Sequence, residues 1–197
     1  MSATAPSRPP RQDNRRQAIL DAASKLFAQR GYHATSMRDM ASAAGMLPGS
    51  VYYHFDSKEA LLLAVYAEGV RRIAAHVDAA VAKRRAPRAR LEAACAAHLE
   101  MLLDRSDYAQ VVVRVLPQDA ATIAAKLVDL RDDYERRMRD LIDDLKLPRS
   151  ADRRLLRLGL IGALNGAQVW YRPGGDTPAA IARRFLDMFV PVKASAR

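Results

Sequence analysis

A single cysteine, Cys95, stands among 197 residues, so no internal disulfide framework is available and a reducing compartment is expected. Aromatic residues make up only 6 % of the chain, and no alternation of β-branched residues is long enough to demand a strand. Val111 to Val115 comes nearest and is short. The longest uncharged apolar-rich stretch, the 14 residues from Leu158 to Tyr171, is interrupted by Asn165 and Gln168. It falls short of the roughly 30 Å that a bilayer core requires. The N-terminus carries no signal-peptide core, and the expectation is a soluble cytoplasmic protein with no membrane partner. The four histidines, at 33, 54, 76 and 98, have no metal-ligand spacing, and glycine-rich phosphate loops are missing, so no metal or cofactor is expected.

Half of the residues are apolar, with alanine prominent, which favours helices and allows a sizeable core. Net charge is +10, a balance that favours polyanions such as nucleic acid or an anionic membrane. Residues 1–60 carry eight Lys/Arg against five Asp/Glu, and residues 61–197 carry 24 against 17, so the excess is not concentrated at one end. Charge alone therefore does not locate a nucleic-acid site.

The most informative stretch is Thr35 to Leu61, TSMRDMASAAGMLPGSVYYHFDSKEAL. Ser36 caps a short helix, with Asp39 three residues on as its capping-box partner. Met37, Met40, Ala41 and Ala44 give that helix one apolar face, and Gly45 stops it. Pro48 fits the first position of a second short helix. Val51 and Phe55, four apart, point inward, which leaves Ser50, Tyr52, Tyr53 and His54 on other faces. Hydroxyls and an imidazole crowding a helix of under two turns suit insertion into a DNA major groove. Ser57 or Asp56 opens a third, long helix, whose first turn carries Lys58. A lysine there opposes the helix dipole but is well placed for a phosphate.

The run GYHATSMRDMASAAGMLPGSVYYHFDSKEALL resembles the DNA-binding domain of the TetR family of transcriptional regulators, over about residues 12–63. The resemblance implies an all-α fold: a helix-turn-helix DNA-binding domain over 12–56, preceded by a disordered basic arm over 1–11, and a helical ligand-binding and dimerisation domain over 57–197. It implies DNA contacts by Tyr52, Tyr53, His54 and Lys58, mainly to phosphates. Gly49 and Ser50 fall where base edges are approached, and Thr35, Ser36 and Arg38 flank the groove. Leu47 departs from the small polar residue many members carry there. Without that cap, the N–H groups of Gly49 and Ser50 are offered to a phosphate.

The remaining periodicity predicts about nine helices. The first starts after Asp13 or Asn14 and ends at Gly31. The long fourth runs from Ser57 to about Lys83, and the next from Pro87 to about Asp104. Short and long helices follow over 107–116 and 120–145, and two more run from Ser150 to Tyr171 and from Pro178 through Val190. Arg8, Arg11, Arg15 and Arg16 form a candidate arm for the minor groove, or a solvated tail. The acidic and basic residues on the outer face of 120–145 read as solvated i,i+4 pairs.

Gly159, Gly162 and Gly166 lie in one helix, where each costs about 1 kcal/mol relative to alanine. Close approach of another helix accounts for them. The family dimerises through its last two helices, so these glycines, with Phe185 and Phe189, are expected at a homodimer interface, with packing inside one subunit as the alternative. The resemblance further implies a pocket for a small-molecule effector. Inward polar or bulky candidates for its lining are His98, Met101, Tyr108, Tyr134, Asn165 and Trp170, each of which ordinary core packing also explains. The segment WYRPGG (Trp170 to Gly175) resembles members that respond to acyl-CoA thioesters.

The function expected is a ligand-responsive repressor that binds a near-palindromic operator as a dimer and is released by a small molecule. Two other readings remain: sequence-blind coating of nucleic acid by a basic protein, and a small enzyme built on Cys95 and His98, three apart on one helix. No orienting group or oxyanion donor accompanies that pair, and no enzyme is expected.

Overall fold

The computed structural model describes residues 11–190, which form nine α-helices and one 3₁₀ segment, with no strand among the described residues. Helices α1 (Arg11–Arg30), α2 (Met37–Ala43) and α3 (Pro48–His54) precede the long α4 (Lys58–Val81). Then come α5 (Pro87–Leu103), α6 (Asp107–Arg114), a 3₁₀ segment (Pro117–Ile123), α7 (Ala124–Asp143), α8 (Arg153–Trp170) and α9 (Pro178–Phe189).

Three helix starts differ from the sequence reading. The first helix already begins at Arg11, which puts Asp13 in its first turn, where a carboxylate favours the dipole. Arg15 and Arg16 therefore belong to a helix rather than an arm, and the Arg16 guanidinium lies 5.2 Å from the centre of the Phe55 ring. Residues 1–10 of the expected arm lie outside the described residues. The helix expected from Ala120 starts at Ala124 instead. Before it, the Asp119 carboxylate accepts from the Leu116 N–H at 2.7 Å, and Ala120 leaves helical geometry at φ −141°, ψ 71°. Ala120 and Ile123 turn into the core, so the tight segment is held by burial as well as by its cap. Finally, Asp152 rather than Ser150 caps α8, its carboxylate accepting from Leu155 N–H at 2.9 Å.

Two buried clusters divide the interior. The first joins α1, α2, α3 and the N-terminal half of α4 to α6, the 3₁₀ segment and Leu127. Ile19, Met40, Val51, Leu61 and Leu62 are fully buried there. The second joins the C-terminal half of α4 to α5, α7, α8 and α9, around Leu91, Leu99, Met138, Leu160 and Leu164. Val70 of α4 and Val112 of α6 pack against both clusters.

α4 and α6 meet at Gly69. A Cβ there would stand 2.6 Å from Val112 Cγ2 and 2.8 Å from the Tyr108 carbonyl oxygen. No side chain fits at that distance, so the glycine lets one helix touch the backbone of the other. A larger residue at this position would force the two helices apart.

Candidate nucleic-acid interface and helical cavity

The short α3 owes its presentation to what lies beneath it. Val51 is 0 % exposed and Phe55 5 %, fixing one side of the helix to the first cluster. α2 is held beside it by a capping box in which Ser36 Oγ accepts from Asp39 N–H and the Asp39 carboxylate accepts from Ser36 N–H. On the outer side, Tyr53 is 74 % exposed and Tyr52 51 %, while Gly49 is open and Ser50 and His54 are half-buried. The Tyr53 and His54 rings meet edge to face at 5.2 Å, which limits how the imidazole turns. Arg38 of α2 is exposed as well. Leu47 caps nothing with its side chain and is 77 % exposed, an apolar group beside the polar row. A thymine methyl is the base feature such a group can meet.

Several expected DNA contacts change role. Thr35 is buried at 2 % exposure, with its hydroxyl donating to the Gly31 carbonyl at 2.9 Å, so it shapes the α1–α2 turn and does not reach a groove. Ser36 is exposed, but its hydroxyl also donates to Asp39 at 2.6 Å, which ties it to the cap. Ser50 N–H donates to the Leu47 carbonyl at 2.9 Å, and the offer of free N–H groups to a phosphate narrows to Gly49.

Lys58 explains its own unfavourable position in the first turn of α4. Its ammonium donates to the carbonyls of Tyr32 (2.7 Å) and Thr35 (2.8 Å) and lies 4.2 Å from the centre of the Tyr32 ring. Beside it, the Tyr32 hydroxyl donates to the Glu59 carboxylate at 2.6 Å, which holds that carboxyl below its ordinary range. Lysine and glutamate thus clamp the α1–α2 turn onto α4, and a free lysine waiting for phosphate is not what the geometry provides.

The second region is a cavity of about 70 Å³ walled by Tyr66, Val70 and Ile73 of α4, Val112 and Val113 of α6, and Ile161 of α8. Its polar corner is a relay. Asn165 Oδ1 lies 3.0 Å from His98 Nε2, and Tyr134 Oη lies 2.6 Å from Nδ1. Because an amide oxygen only accepts, Nε2 carries the proton and Nδ1 accepts from the tyrosine hydroxyl. Burial drives the His98 pKa down to about 4, so the imidazole is neutral, and burial raises that of Tyr134. Of the six candidate ligand residues, His98, Tyr134 and Asn165 come together here.

The other three do not join them. Met101 packs at the edge of the second cluster. Trp170 is half exposed, edge to face with Phe185 at 6.2 Å. Tyr108 faces the other way: its hydroxyl donates to Asp21 at 2.8 Å and receives a bond from Gln17 at 3.1 Å, joining α6 to α1. Sequence reasoning missed Val112 and Val113 because a short amphipathic helix gives no sign that both of its sides are in use. It also missed that Glu135 is shared. Its carboxylate pairs with Arg131 on α7 at 3.7 Å and with Arg157 across on α8. The i,i+4 reading of α7's outer face captured the first of these pairs and not the second.

Cys95 does not make an enzyme with His98. Its thiol is fully buried with the pKa pushed up to about 12, chiefly by burial, and the imidazole is bonded to Tyr134 and Asn165 instead.

Among the described residues, α8 and α9 leave an apolar face without a partner. Leu155 (62 %), Val169 (81 %) and Met188 (74 %) are exposed on it, and no described atom lies within 4 Å of a Cβ built on Gly162 or Gly166. Gly159 is different: a Cβ there would stand 2.8 Å from Phe189 Cε1 of the same chain, so that glycine and that phenylalanine fit each other within one protomer.

Comparisons with known proteins agree with this architecture. Residues 19–65 match the family described as bacterial regulatory proteins, tetR family, and residues 84–192 match the tetracyclin repressor-like C-terminal domain. The HTH-type transcriptional repressor KstR2 of Rhodococcus jostii is 31 % identical over 188 residues, 92 % of each chain. The structure of the ketosteroid transcriptional regulator KstR2 of Mycobacterium tuberculosis superposes with a TM-score of 0.67 at 25 % identity, covering 94 % of both chains. AibR in complex with isovaleryl coenzyme A and operator DNA shares the fold, with a TM-score of 0.75 at 24 % identity over 88 % of this chain and 97 % of that one.

Proposed function

The chain belongs to the TetR family of bacterial transcriptional regulators, and from that membership we propose how its DNA-reading and effector-binding parts work. It is a ligand-responsive DNA-binding regulator of the repressor type. The observation that carries the DNA-reading assignment is the outward row on α3, where Tyr52 and Tyr53 stand more than half exposed on a helix anchored by fully buried Val51. Gly49 and Ser50 approach base edges, while Tyr52, Tyr53, His54 and Arg38 meet phosphates. Lys58 acts through the turn it clamps.

Two copies join through the exposed α8–α9 face, since a contiguous apolar surface of this kind is otherwise costly in water. A two-fold pair then presents its α3 helices about 34–36 Å apart to a near-palindromic operator. Residues 12–56 act as the reading unit and residues 57–197 as the effector and dimer unit.

The effector we assign is a short-chain acyl-CoA thioester whose acyl group enters the cavity. AibR, of the same fold, has been solved with such a thioester and with operator DNA. A space of about 70 Å³ is smaller than the roughly 150 Å³ that takes a benzene, so even a short chain must push its walls apart. Two of those walls, α4 and α6, are packed on the reading unit. Binding therefore favours the arrangement in which they have moved, and a coupling of about 1–3 kcal/mol suffices to weaken DNA binding five- to 150-fold.

Selecting bound fragments from the source genome and titrating them with isovaleryl-CoA tests both halves. Release of a fragment with near-palindromic half-sites is expected. Equal binding to random DNA would replace operator reading with sequence-blind coating.

A further inference from the structure

Beside the cavity lies a second hollow, of about 440 Å³, between the middle turns of α7 and the N-terminal half of α8. Five arginines line it, Arg131, Arg136, Arg139, Arg154 and Arg157, against the two carboxylates of Asp132 and Glu135. Arg131 and Glu135 also line the cavity, so the two spaces share a wall. Successive helical turns lead from one to the other. On α8, Asn165 and Ile161 face the cavity and Arg157, one turn further, faces the hollow; on α7, Arg131 and Glu135 lead to Arg139. The run from Asn165 to Arg157 covers eight residues of helix, roughly 12 Å.

The charges in this wall are unevenly matched. Glu135 is 15 % exposed and lies between two guanidinium groups, those of Arg131 and Arg157. Arg139 and Arg154 have no ion-pair partner among the described residues, although acidic residues are plentiful elsewhere on α7. Guanidinium groups without a carboxylate at i,i+3 or i,i+4 stay available to an anion from outside the chain. A concave site with guanidinium groups in excess, opening onto an apolar space, suits a ligand with a phosphate-bearing end and an apolar end.

We propose that this hollow seats the phosphate groups of the effector and that Glu135 holds the place of one of them, between Arg131 and Arg157, when the site is empty. The inference rests on the acyl-CoA reading above. On binding, a phosphate oxygen takes over the guanidinium donors of Arg131 and Arg157, Glu135 withdraws, and the wall between hollow and cavity opens for the acyl group. Arg139 and Arg154 receive the remaining phosphate charge.

The test is calorimetric titration of the full chain with isovaleryl-CoA, desacyl coenzyme A and free isovalerate. Wild type is compared with the double variant Arg139→Gln/Arg154→Gln and with Glu135→Gln. The double variant changes exposed side chains and is expected to fold. It should bind both coenzyme A compounds roughly tenfold more weakly, with a shallower salt dependence, and its operator affinity without ligand should not change. Glu135→Gln should bind them more tightly, because the competing carboxylate charge is gone.

Equal affinity of wild type and double variant for isovaleryl-CoA would overturn the phosphate seat and leave the thioester reading standing. Arginine-dependent binding of desacyl coenzyme A, with no gain from the acyl group and no release of DNA, would keep the seat and overturn the thioester reading. No binding of either compound by wild type would overturn both.

Discussion

The two buried clusters are built on the same residue types and differ in how they are filled. Around α1, α2 and α3, the inward polar groups fasten turns: buried Thr35 bonds Gly31, and the half-buried Lys58 ammonium bonds two carbonyls. Around α5, α7 and α8, the buried polar group is an imidazole held by two other side chains at the edge of a cavity. A close-packed interior resists any change of volume, whereas a void with a polar corner leaves room for one. The contrast fits the proposed division, in which the first region presents a fixed surface and the second yields. Gly69 connects them, because it lets α4 touch the backbone of α6.

The largest expected effect is on the yielding side. His98 has a folded pKa near 4 against an ordinary 6.5, so the native state binds its proton less readily than the unfolded chain does. Stability from this group is fully present above about pH 6.5 and is lost as pH falls towards 4, by up to about 3 kcal/mol. Urea unfolding across that range should show the slope in wild type, and His98→Phe should flatten it. A slope that survives His98→Phe would place the titration elsewhere.

Enlarging side chains sharpens the contrast. Ala41 is 0 % exposed in the first cluster, and Ala41→Leu should cost about 1–3 kcal/mol of unfolding free energy by overpacking. Val113 lines the cavity, so Val113→Leu should be close to neutral in the same assay while reducing the response to effector. Similar penalties at both positions would remove the distinction between a filled region and a yielding one.

The smallest effect concerns the link between them. Tyr108→Phe removes the bonds to Asp21 and Gln17 that join α6 to α1. The loss of stability should be about 1 kcal/mol, accompanied by a larger change in how far effector weakens operator binding. Unaltered coupling would leave α4 to carry the signal alone.

The reading unit was more legible in the sequence than the effector unit, and local chemistry is the reason. Ser36 with Asp39, Pro48 at a helix start, and Val51 with Phe55 are short-range signals, and each appears as expected. The clamp made by Lys58 was not legible because its partners, the carbonyls of Tyr32 and Thr35, lie more than twenty residues away. For the same reason Gly159 gave no sign of its contact with Phe189, and Glu135 none of its bond to Arg157. His98, Tyr134 and Asn165 were each legible as inward polar residues, but their convergence depends on how three helices cross, which no local pattern records.

The central claim is that the exposed row on α3 reads DNA from a rigid base, and Tyr53→Ala tests it most directly. Fluorescence anisotropy with an operator fragment, alongside thermal unfolding of the same samples, separates binding from folding. The account predicts an affinity loss of roughly tenfold, of the order expected for losing one well-placed contact, with the melting temperature unchanged. Undiminished affinity for the operator would contradict it.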